Sequence, residues 1–448
     1  MKLRVKNHII KTDFLVIGGG IGGLQAAITA GRAGVKVVVA EKADTRRSGC
    51  GANGNDHFLC YIPEVHGDLE RAVREVGNSF EGGPWTDISM LRLMLKRSFE
   101  VVKEWESMGI NMRPTGEWRF EGHSVPGQQL YHLKFDGKRQ KELLTKTAKE
   151  CGVRIMNRIA VNDLLVKEGH VAGAVGVDVT EDEPELVVFQ AKAVLLATGM
   201  AQRLYPESNP AYLFNLAGCP ADCGSGHAMA LRAGARLVNI DMPHDHAGPR
   251  YFQRGGKGTW IGISCDINGV PVTPYVGKPS RELGDVTADV WPGVYREKML
   301  NGTGPVYMNC TQLSEEDHEY MREAFKCEGI DSIYDYLDQH NIDLRKNMIE
   351  FGTYNYCLNS RGIDISEKAE SSLPGLYAAG DITGNVRGNL TGAAVFGMIA
   401  GEAAAEYVKT VPEYDISCHP LIFSREALYK SMLEREEGAH WKEANSML

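Results

Sequence analysis

The sequence predicts an α/β fold built on a parallel β-sheet. Three short apolar runs support this prediction, because each of them stops at a glycine. The runs are residues 13–17, 193–197 and 376–379, and the glycines that follow them are Gly18, Gly199 and Gly380. Strands buried on both faces read as near-continuous apolar runs, and open α/β sheets bind ligands at the carboxyl ends of such strands. We therefore expect the functional site at those ends.

The composition limits the classes of protein to which the chain can belong. A chain of 448 residues with 43% hydrophobic residues buries a large core and favours two domains. A formal net charge of −9 gives no broad positive field for a phosphate backbone, so we expect no nucleic-acid partner. No apolar stretch approaches the ~20 residues of a membrane helix, and the basic start lacks a cleavage-type site. We expect a cytoplasmic protein without a membrane span.

The ten cysteines are dispersed along the chain, and Cys219 and Cys223 are the closest pair. The sequence contains no CxxC or CxxCxxC run of the kind that holds zinc or an iron–sulfur cluster. We therefore expect reduced thiols and no metal site in the chain itself.

Residues 18–23 form a glycine-rich turn that contains the pattern GxGxxG. The turn follows the first apolar run, precedes a helix predicted over 25–33, and is followed by a strand predicted over 35–40 that ends at Glu41. This is the full context of a dinucleotide-binding unit, whose helix N-terminus and glycine backbone receive a pyrophosphate and whose acidic residue receives a ribose. The candidate cofactor residues of this unit are Gly18, Gly20, Gly22, Gly23, Glu41 and Lys42.

The first unit does not separate FAD from NAD, but the C-terminal segment does. Residues 374–384, PGLYAAGDITG, and the helix-like run that follows resemble the second FAD motif of flavoproteins with two dinucleotide folds. The resemblance predicts FAD, with Asp381 accepting a hydrogen bond from a ribityl hydroxyl, while a helix N-cap is the alternative role for Asp381. The other candidates in this part of the site are Thr198, Gly199, Thr391, Gly392 and Ala393.

The motifs occur in the order found in the fumarate reductase and succinate dehydrogenase flavoprotein superfamily, which the chain resembles over most of its length. Its resemblance is greatest to the adenylylsulfate reductase flavoprotein type. The motifs that carry the resemblance are the glycine turn, Arg47-Ser48-Gly49, Ala197-Thr198-Gly199, residues 223–235 and residues 375–401.

The resemblance implies a discontinuous Rossmann-like FAD-binding domain with an inserted α+β capping domain. Residues 238–348 are rich in Gly, Pro and aromatic residues and lack the buried-strand pattern, so we interpret them as the insertion. The predicted FAD-binding domain then covers 1–237 and 349–410, and 411–448 form a helical C-terminal tail.

The resemblance also bears on the cofactor and on the electron partner. Gly49 stands where respiratory members carry the histidine that bonds to the flavin, so we expect non-covalent FAD. No second strand–GxGxxG–helix unit is present, and we therefore expect a separate iron–sulfur, ferredoxin-like partner and an oligomeric assembly. A disulfide reductase is disfavoured, because Cys50 and Cys60 are too far apart for its CxxxxC pair.

Arginine and histidine residues supply the candidates for substrate binding. Arg387 precedes the second FAD helix, where a bidentate guanidinium suits a small anionic substrate. A cluster over residues 244–256 adds His246, Arg250 and Arg254, and either arginine could face the substrate. A metal-binding role for His244 and His246 is the less favoured alternative. The family's substrate histidine is replaced by Cys357, which argues against fumarate or succinate.

The glycine-rich loop over residues 49–56 is a candidate wrapping segment for the flavin. Ser48, Gly49 and Asn55 are its candidate contacts, although simple turn chemistry accounts for Asn and Gly there equally well. The sequence therefore favours an FAD-dependent oxidoreductase that acts on a small anion. A non-catalytic electron-transfer module of a larger complex is the alternative.

Overall fold

A computed structural model describes residues 3–52, 54–78, 86–121, 127–202, 204, 221–242, 244–250, 260–272, 277–279, 281, 293–387 and 389–440. The described helices are α1 (Ile21–Arg32), α2 (Pro63–His66), α3 (Leu69–Gly77), α4 (Ile88–Ser107), α5 (Gln140–Glu150), α6 (Ser225–Ala233), α7 (Gly293–Leu300), α8 (Glu315–Cys327), α9 (Ser332–Gln339), α10 (Leu390–Tyr407) and α11 (Pro420–Leu433).

The described strands are β1 (Arg4–Ile17), β2 (Val37–Glu41), β3 (His57–Leu59), β4 (His132–Lys134), β5 (Arg154–Asn157), β6 (Ile159–Lys167), β7 (His170–Asp178), β8 (Glu185–Leu196), β9 (Leu237–Val238), β10 (His244–Pro249), β11 (Ile263–Cys265), β12 (Val306–Asn309), β13 (Ile349–Cys357), β14 (Gly362–Ile363) and β15 (Leu376–Ala378).

The central sheet has the strand order β5-β2-β1-β8-β7-β6, with β15 also paired to β8. Strands β5, β2, β1 and β8 run parallel, as does β15 against β8, whereas β6 and β7 pair antiparallel. The predicted α/β class is confirmed. Ile17 lies beside both Ala40 and Leu196, and Leu196 lies beside Ala378, so the carboxyl ends of four strands meet at one edge.

Strand β1 is longer than the predicted apolar run. It begins at Arg4 because its first half pairs with residues 185–190 of β8, through a register shift between Val5 and Ile9. That half, RVKNHIIK, mixes charged and apolar residues and has no buried-strand pattern. The apolar run therefore predicted only the part of the strand that both faces of the sheet bury.

A second sheet, in the order β10-β13-β12-β11, lies on its own hydrophobic core. Trp260 packs edge-on against Phe325 and Phe351 at the centre of that core. This sheet includes β13, which follows the predicted insertion. The division of the chain into domains stays a prediction.

Helix α11 docks on the antiparallel part of the central sheet. Ile422 is buried with residues of β6, β7 and β8, and Asn162 donates to the hydroxyl of Tyr429 over 3.0 Å. The buried Asp163 carboxylate joins the two elements, because it receives Arg425 of α11 at 2.5 Å and Arg232 of α6 at 2.7 Å. In the described part of the chain, no helix is both long enough and apolar enough to cross a membrane.

We expect Asp163→Ala to lower the free energy of unfolding by about 2–3 kcal/mol. Losing one partner of a buried ion pair costs about 3–5 kcal/mol, and the partial exposure of both arginines reduces the loss here. Denaturant titration of the variant would measure the change, with Asp182→Ala, at an exposed turn, as the control. An unchanged unfolding midpoint for Asp163→Ala would contradict this account of how α11 docks.

Candidate functional site

The predicted cofactor residues surround the edge where β2, β1, β8 and β15 end. Candidates from the sequence follow each of these strands within three residues, so segments distant in the chain form one recess. The first turn of α10 and the loop after β2 contribute to the same recess. The residues that the fold gathers there are Gly18, Gly20, Gly22, Gly23, Glu41, Lys42, Ser48, Gly49, Thr198, Gly199, Asp381, Thr391, Gly392 and Ala393. We call this recess the cradle.

The three glycines of the GxGxxG pattern, Gly18, Gly20 and Gly23, have different surroundings. Gly18 has φ +101°, and a Cβ on it would lie 2.4 Å from the carbonyl oxygen of Ala197. A Cβ on Gly23 would lie 2.0 Å from the carbonyl oxygen of Gly18, so both positions exclude side chains. Gly20 differs, because a Cβ there would have one neighbouring protein atom within 4 Å, Ala197 O at 3.9 Å. The space in front of Gly20 is therefore available to a ligand.

The first turn of α10 borders the cradle next to the start of α1. A Cβ on Gly22 would lie 3.1 Å from the carbonyl oxygen of Ala393, so the two backbones are close. Asn389 caps the helix through Oδ1, which accepts the N–H of Gly392 at 2.7 Å. Two helix N-termini, those of α1 and α10, therefore border the same recess, and both favour an anionic group.

Glu41 is buried at the end of β2 and its carboxylate is held by backbone donors. Oε2 accepts the N–H of Gly19 and Oε1 accepts the N–H of Ala43, both at 2.6 Å. Each oxygen keeps a second lone pair for a ribose hydroxyl. Lys42 is exposed and donates to the carbonyl oxygen of Ala221 across the mouth of the cradle.

Several buried polar atoms around the cradle have no partner within the protein. They are Thr45 Oγ1, Ser48 Oγ, Gln140 Oε1, Thr198 Oγ1 and Thr391 Oγ1. Buried hydroxyl and amide groups in native proteins are almost always hydrogen-bonded, and leaving one unmade costs about 1–3 kcal/mol. A ligand rich in hydroxyl and phosphate oxygens would satisfy these atoms, which is the chemistry of FAD.

Asn55 is held differently from the other loop candidates. Its Oδ1 accepts from Gln140 Nε2, and Gln140 also donates to the carbonyl oxygen of Gly51 at 3.0 Å. This side chain therefore ties the loop to α5, and a contact between Asn55 and the flavin stays a prediction.

Two carboxyl groups, Asp381 in the cradle and Asp222 beside it, are hard to ionise. Burial raises the pKa of Asp381 to about 6, and the nearby Arg387 guanidinium only partly offsets the rise. Burial also raises the pKa of Asp222 to about 7, with Lys42 opposing the shift and the negative charges of Asp381 and Glu41 adding to it. The recess therefore resists further negative charge unless cations enter with it or are already present.

Of the four predicted substrate residues, the structure places only Arg387 at the cradle. Arg387 lies at the cradle, and its carbonyl oxygen packs over the first turn of α10, 2.2 Å from where a Cβ on Gly392 would be. Arg250 follows β10 and pairs with Glu350 of β13 at 2.7 Å, which holds it on the second sheet. His246 pairs with Tyr354 in that sheet through its backbone. Arg254 lies outside the described residues, and all four substrate roles stay predictions.

Four residues around the cradle were not predicted from the sequence, namely Thr45, Gln140, Lys141 and Asp222. Lys141 and Thr45 are buried against the glycine turn, and Asp222 shares the electrostatic field of Glu41 and Asp381. Lys141 had a usable signal, since it shares a helix face with the apolar Leu144 and Ala148. The sequence around Thr45 and Asp222 carries no comparable pattern.

Thiols and metal ligands add little to the site. The nine cysteines in the described ranges form no disulfide bond, and four of them are buried. Within those ranges no group of three or more His, Cys, Asp or Glu side chains is arranged to hold a metal ion.

Comparison with known proteins identifies the cofactor of the chain. A family model described as FAD binding domain matches residues 13–259. A fumarate reductase (CoM/CoB) subunit from Methanothermobacter marburgensis is 24% identical over 432 residues, which cover 90% of this chain and 74% of that protein. The predicted FAD cofactor is confirmed, and the assignment of the cradle residues to it stays a prediction.

Solved structures share the fold. Adenylylsulfate reductase from Archaeoglobus fulgidus superposes with a TM-score of 0.75 at 23% identity, covering 96% of this chain and 74% of that one. Quinol fumarate reductase of Escherichia coli gives a TM-score of 0.77 at 21% identity, covering 99% and 77%. The predicted resemblance to fumarate reductase and adenylylsulfate reductase flavoproteins is confirmed.

Proposed function

The chain belongs to the FAD binding domain family, and from that premise we propose an oxidoreductase that acts on a small anionic substrate at non-covalently bound FAD. It exchanges electrons with a separate iron–sulfur, ferredoxin-like protein as part of an oligomeric assembly. FAD supplies two-electron chemistry when bound, while the chain's own groups bind the substrate and balance its charge.

The position of Arg387 carries the substrate proposal. Arg387 is near enough to the buried Asp381 to lower that carboxyl's pKa, and its backbone lies over the first turn of α10. A guanidinium in this position brings a cation into a recess that already contains hard-to-ionise carboxyl groups. A planar guanidinium binds carboxylate, sulfate or phosphate through two parallel hydrogen bonds, which orients the anion as well as holding it.

Arg250, Arg254 and His246, which lie in the predicted capping domain, support an anionic substrate more weakly than Arg387 does. Arg250 is half-exposed and pairs with Glu350, so it would have to exchange that partner for a substrate anion. An ion pair this exposed is worth about 1 kcal/mol or less, so the exchange would cost little. We place Arg387 first among the substrate candidates, ahead of Arg250, Arg254 and His246, because it lies beside Asp381 at the cradle.

Two observations support the electron partner. The sequence carries one strand–GxGxxG–helix unit, which FAD uses, and no second unit for a pyridine nucleotide. The relative from Methanothermobacter marburgensis is one component of a larger enzyme, since its name describes it as a subunit.

The reduced thiols of the described cysteines fit a cytoplasmic location, because reducing compartments keep cysteines out of disulfides.

Anaerobic reduction of the purified, FAD-loaded chain tests the electron route. We expect loss of the visible flavin absorption on mixing with a reduced ferredoxin, because the chain then receives electrons from the class of partner proposed for it. We expect NADH and NADPH to reduce the flavin far more slowly, since no site for them is predicted. Rapid reduction by NADH or NADPH alone would contradict the proposed partner.

A further inference from the structure

Helix α5 begins directly behind the cradle with two buried polar residues. Gln140 is 1% exposed and Lys141 is 2% exposed. Gln140 donates to the carbonyl oxygen of Gly51 in the loop after β2, and the ammonium of Lys141 donates to the carbonyl oxygen of Gly19 in the glycine turn. One helix terminus thus holds both backbone segments that border the space in front of Gly20.

The two polar groups of Gly19 are bound by opposite charges. Its N–H donates to Glu41 Oε2 at 2.6 Å, and its carbonyl oxygen accepts from the Lys141 ammonium. Gly19 lies between Gly18 and Gly20 of the GxGxxG pattern, so these two hydrogen bonds fix the orientation of the turn. Charge-assisted hydrogen bonds of this type are about twice as strong as neutral ones.

A buried ammonium at this point has a cost. Burial lowers the pKa of Lys141 to about 8, even though the negative charges of Glu41 and Asp44 oppose the shift. Asp44 is itself paired with Arg46, which holds the Asp44 pKa down at about 2. The cradle thus keeps a desolvated cation that its own carboxylates do not fully stabilise, and the ligand of this recess carries a diphosphate.

We propose that Lys141 is a positioning residue of the FAD site, which fixes the Gly19 carbonyl so that the turn receives the diphosphate and supplies a positive charge that offsets it. Without that charge, the diphosphate would enter a recess bordered by Glu41, Asp222 and Asp381. The Lys141 ammonium contacts the protein backbone, so it acts on FAD through the turn and through the field.

The test compares Lys141→Met with the wild type and uses apoprotein titrated with FAD, followed by quenching of flavin fluorescence. Methionine keeps the length of the side chain and removes the charge. We expect the Kd for FAD to rise about ten- to a hundredfold at pH 7, the effect typical of breaking one charge-assisted hydrogen bond. Lys146→Met, on the exposed side of α5, is the matched control and should leave the Kd unchanged.

Thermal unfolding of the apoproteins separates this role from a purely structural one. Lys141→Met relieves the burial of a charge but leaves the Gly19 carbonyl without its donor, and because these two effects oppose each other the variant apoprotein should melt close to the wild-type temperature. An unchanged Kd for FAD in this variant would overturn the proposal. A melting temperature that falls together with the affinity would overturn it equally, because it would assign Lys141 to the fold.

The pH dependence of FAD binding gives a second readout. The site should bind FAD best when Lys141 is protonated, so the wild-type Kd should rise as the pH increases above about 8. Asp381 and Asp222 ionise at lower pH and produce earlier rises, with pKa values of about 6 and 7. Lys141→Met should lose the rise above pH 8 and keep the earlier ones. A variant that keeps the highest rise would contradict the proposal.

Discussion

Gly20→Val is expected to remove FAD from the protein while leaving the fold in place. Gly20 has φ −67° and ψ −172°, which valine adopts without strain, and no protein atom lies closer than 3.9 Å to the new Cβ. The side chain would instead fill the space into which the pyrophosphate must come. Because each charge-assisted hydrogen bond broken there is worth about 1.5–3 kcal/mol, we expect affinity for FAD to fall about a hundredfold or more.

FAD content per chain, measured after purification and after incubation with excess FAD, checks this result. The N-cap position costs about 1 kcal/mol when valine replaces glycine, so the apoprotein should still unfold cooperatively. Gly277→Val is a suitable control, since Gly277 is exposed and a Cβ on it would meet nothing within 4 Å. Full retention of flavin in Gly20→Val would contradict the assignment of the cradle to FAD.

Replacement of Arg387 is expected to weaken substrate turnover without releasing the flavin. Arg387→Lys keeps the charge and loses the planar fork, whereas Arg387→Ala loses both, so activity should fall in that order. The loss for Arg387→Ala should be about ten- to a hundredfold in apparent substrate affinity, the value of one charge-assisted hydrogen bond in a closed site. Steady-state kinetics with the physiological electron partner would measure it.

The same variants distinguish a substrate role from a cofactor role. FAD content should stay at the wild-type level in Arg387→Ala, and Arg296→Ala, at an exposed position of α7, should match the wild type in both measurements. Release of FAD from Arg387→Ala would place Arg387 in the cofactor site. Unchanged turnover would move the search for the substrate site to Arg250, Arg254 and His246.

The parts of the site that the sequence predicts are those with strong local causes. Gly18 and Gly23 occupy places where any side chain would collide with backbone, and the end of the strand before the turn, residues 14–17, is a continuous apolar run. Such constraints act within one supersecondary unit, so a single sequence reveals them. Asp381 is similar, because it lies in the turn three residues after the end of β15.

The parts that the sequence does not predict depend on contacts between distant segments. Lys141 looks like an ordinary helical lysine until the fold places its ammonium on Gly19. Arg250 belongs to a dense polar cluster in the sequence, and its partner Glu350 is fixed only by the pairing of β10 with β13. The sequence also failed to predict the first half of β1 as a strand, because its pairing with β8 stabilises that half, which has no apolar pattern of its own.

The measurement that tests the central claim most directly is the flavin absorption spectrum during titration with small anions. The FAD-loaded protein would be titrated with malonate, fumarate, sulfate and phosphate, and with malonamide as a neutral analogue. If a small anion binds beside the flavin at Arg387, at least one of the anions perturbs the spectrum saturably, malonamide does not, and Arg387→Ala weakens the effect. A flavin that none of the anions perturbs, but that a reduced ferredoxin still reduces, would contradict the claim and identify the chain as an electron-transfer module.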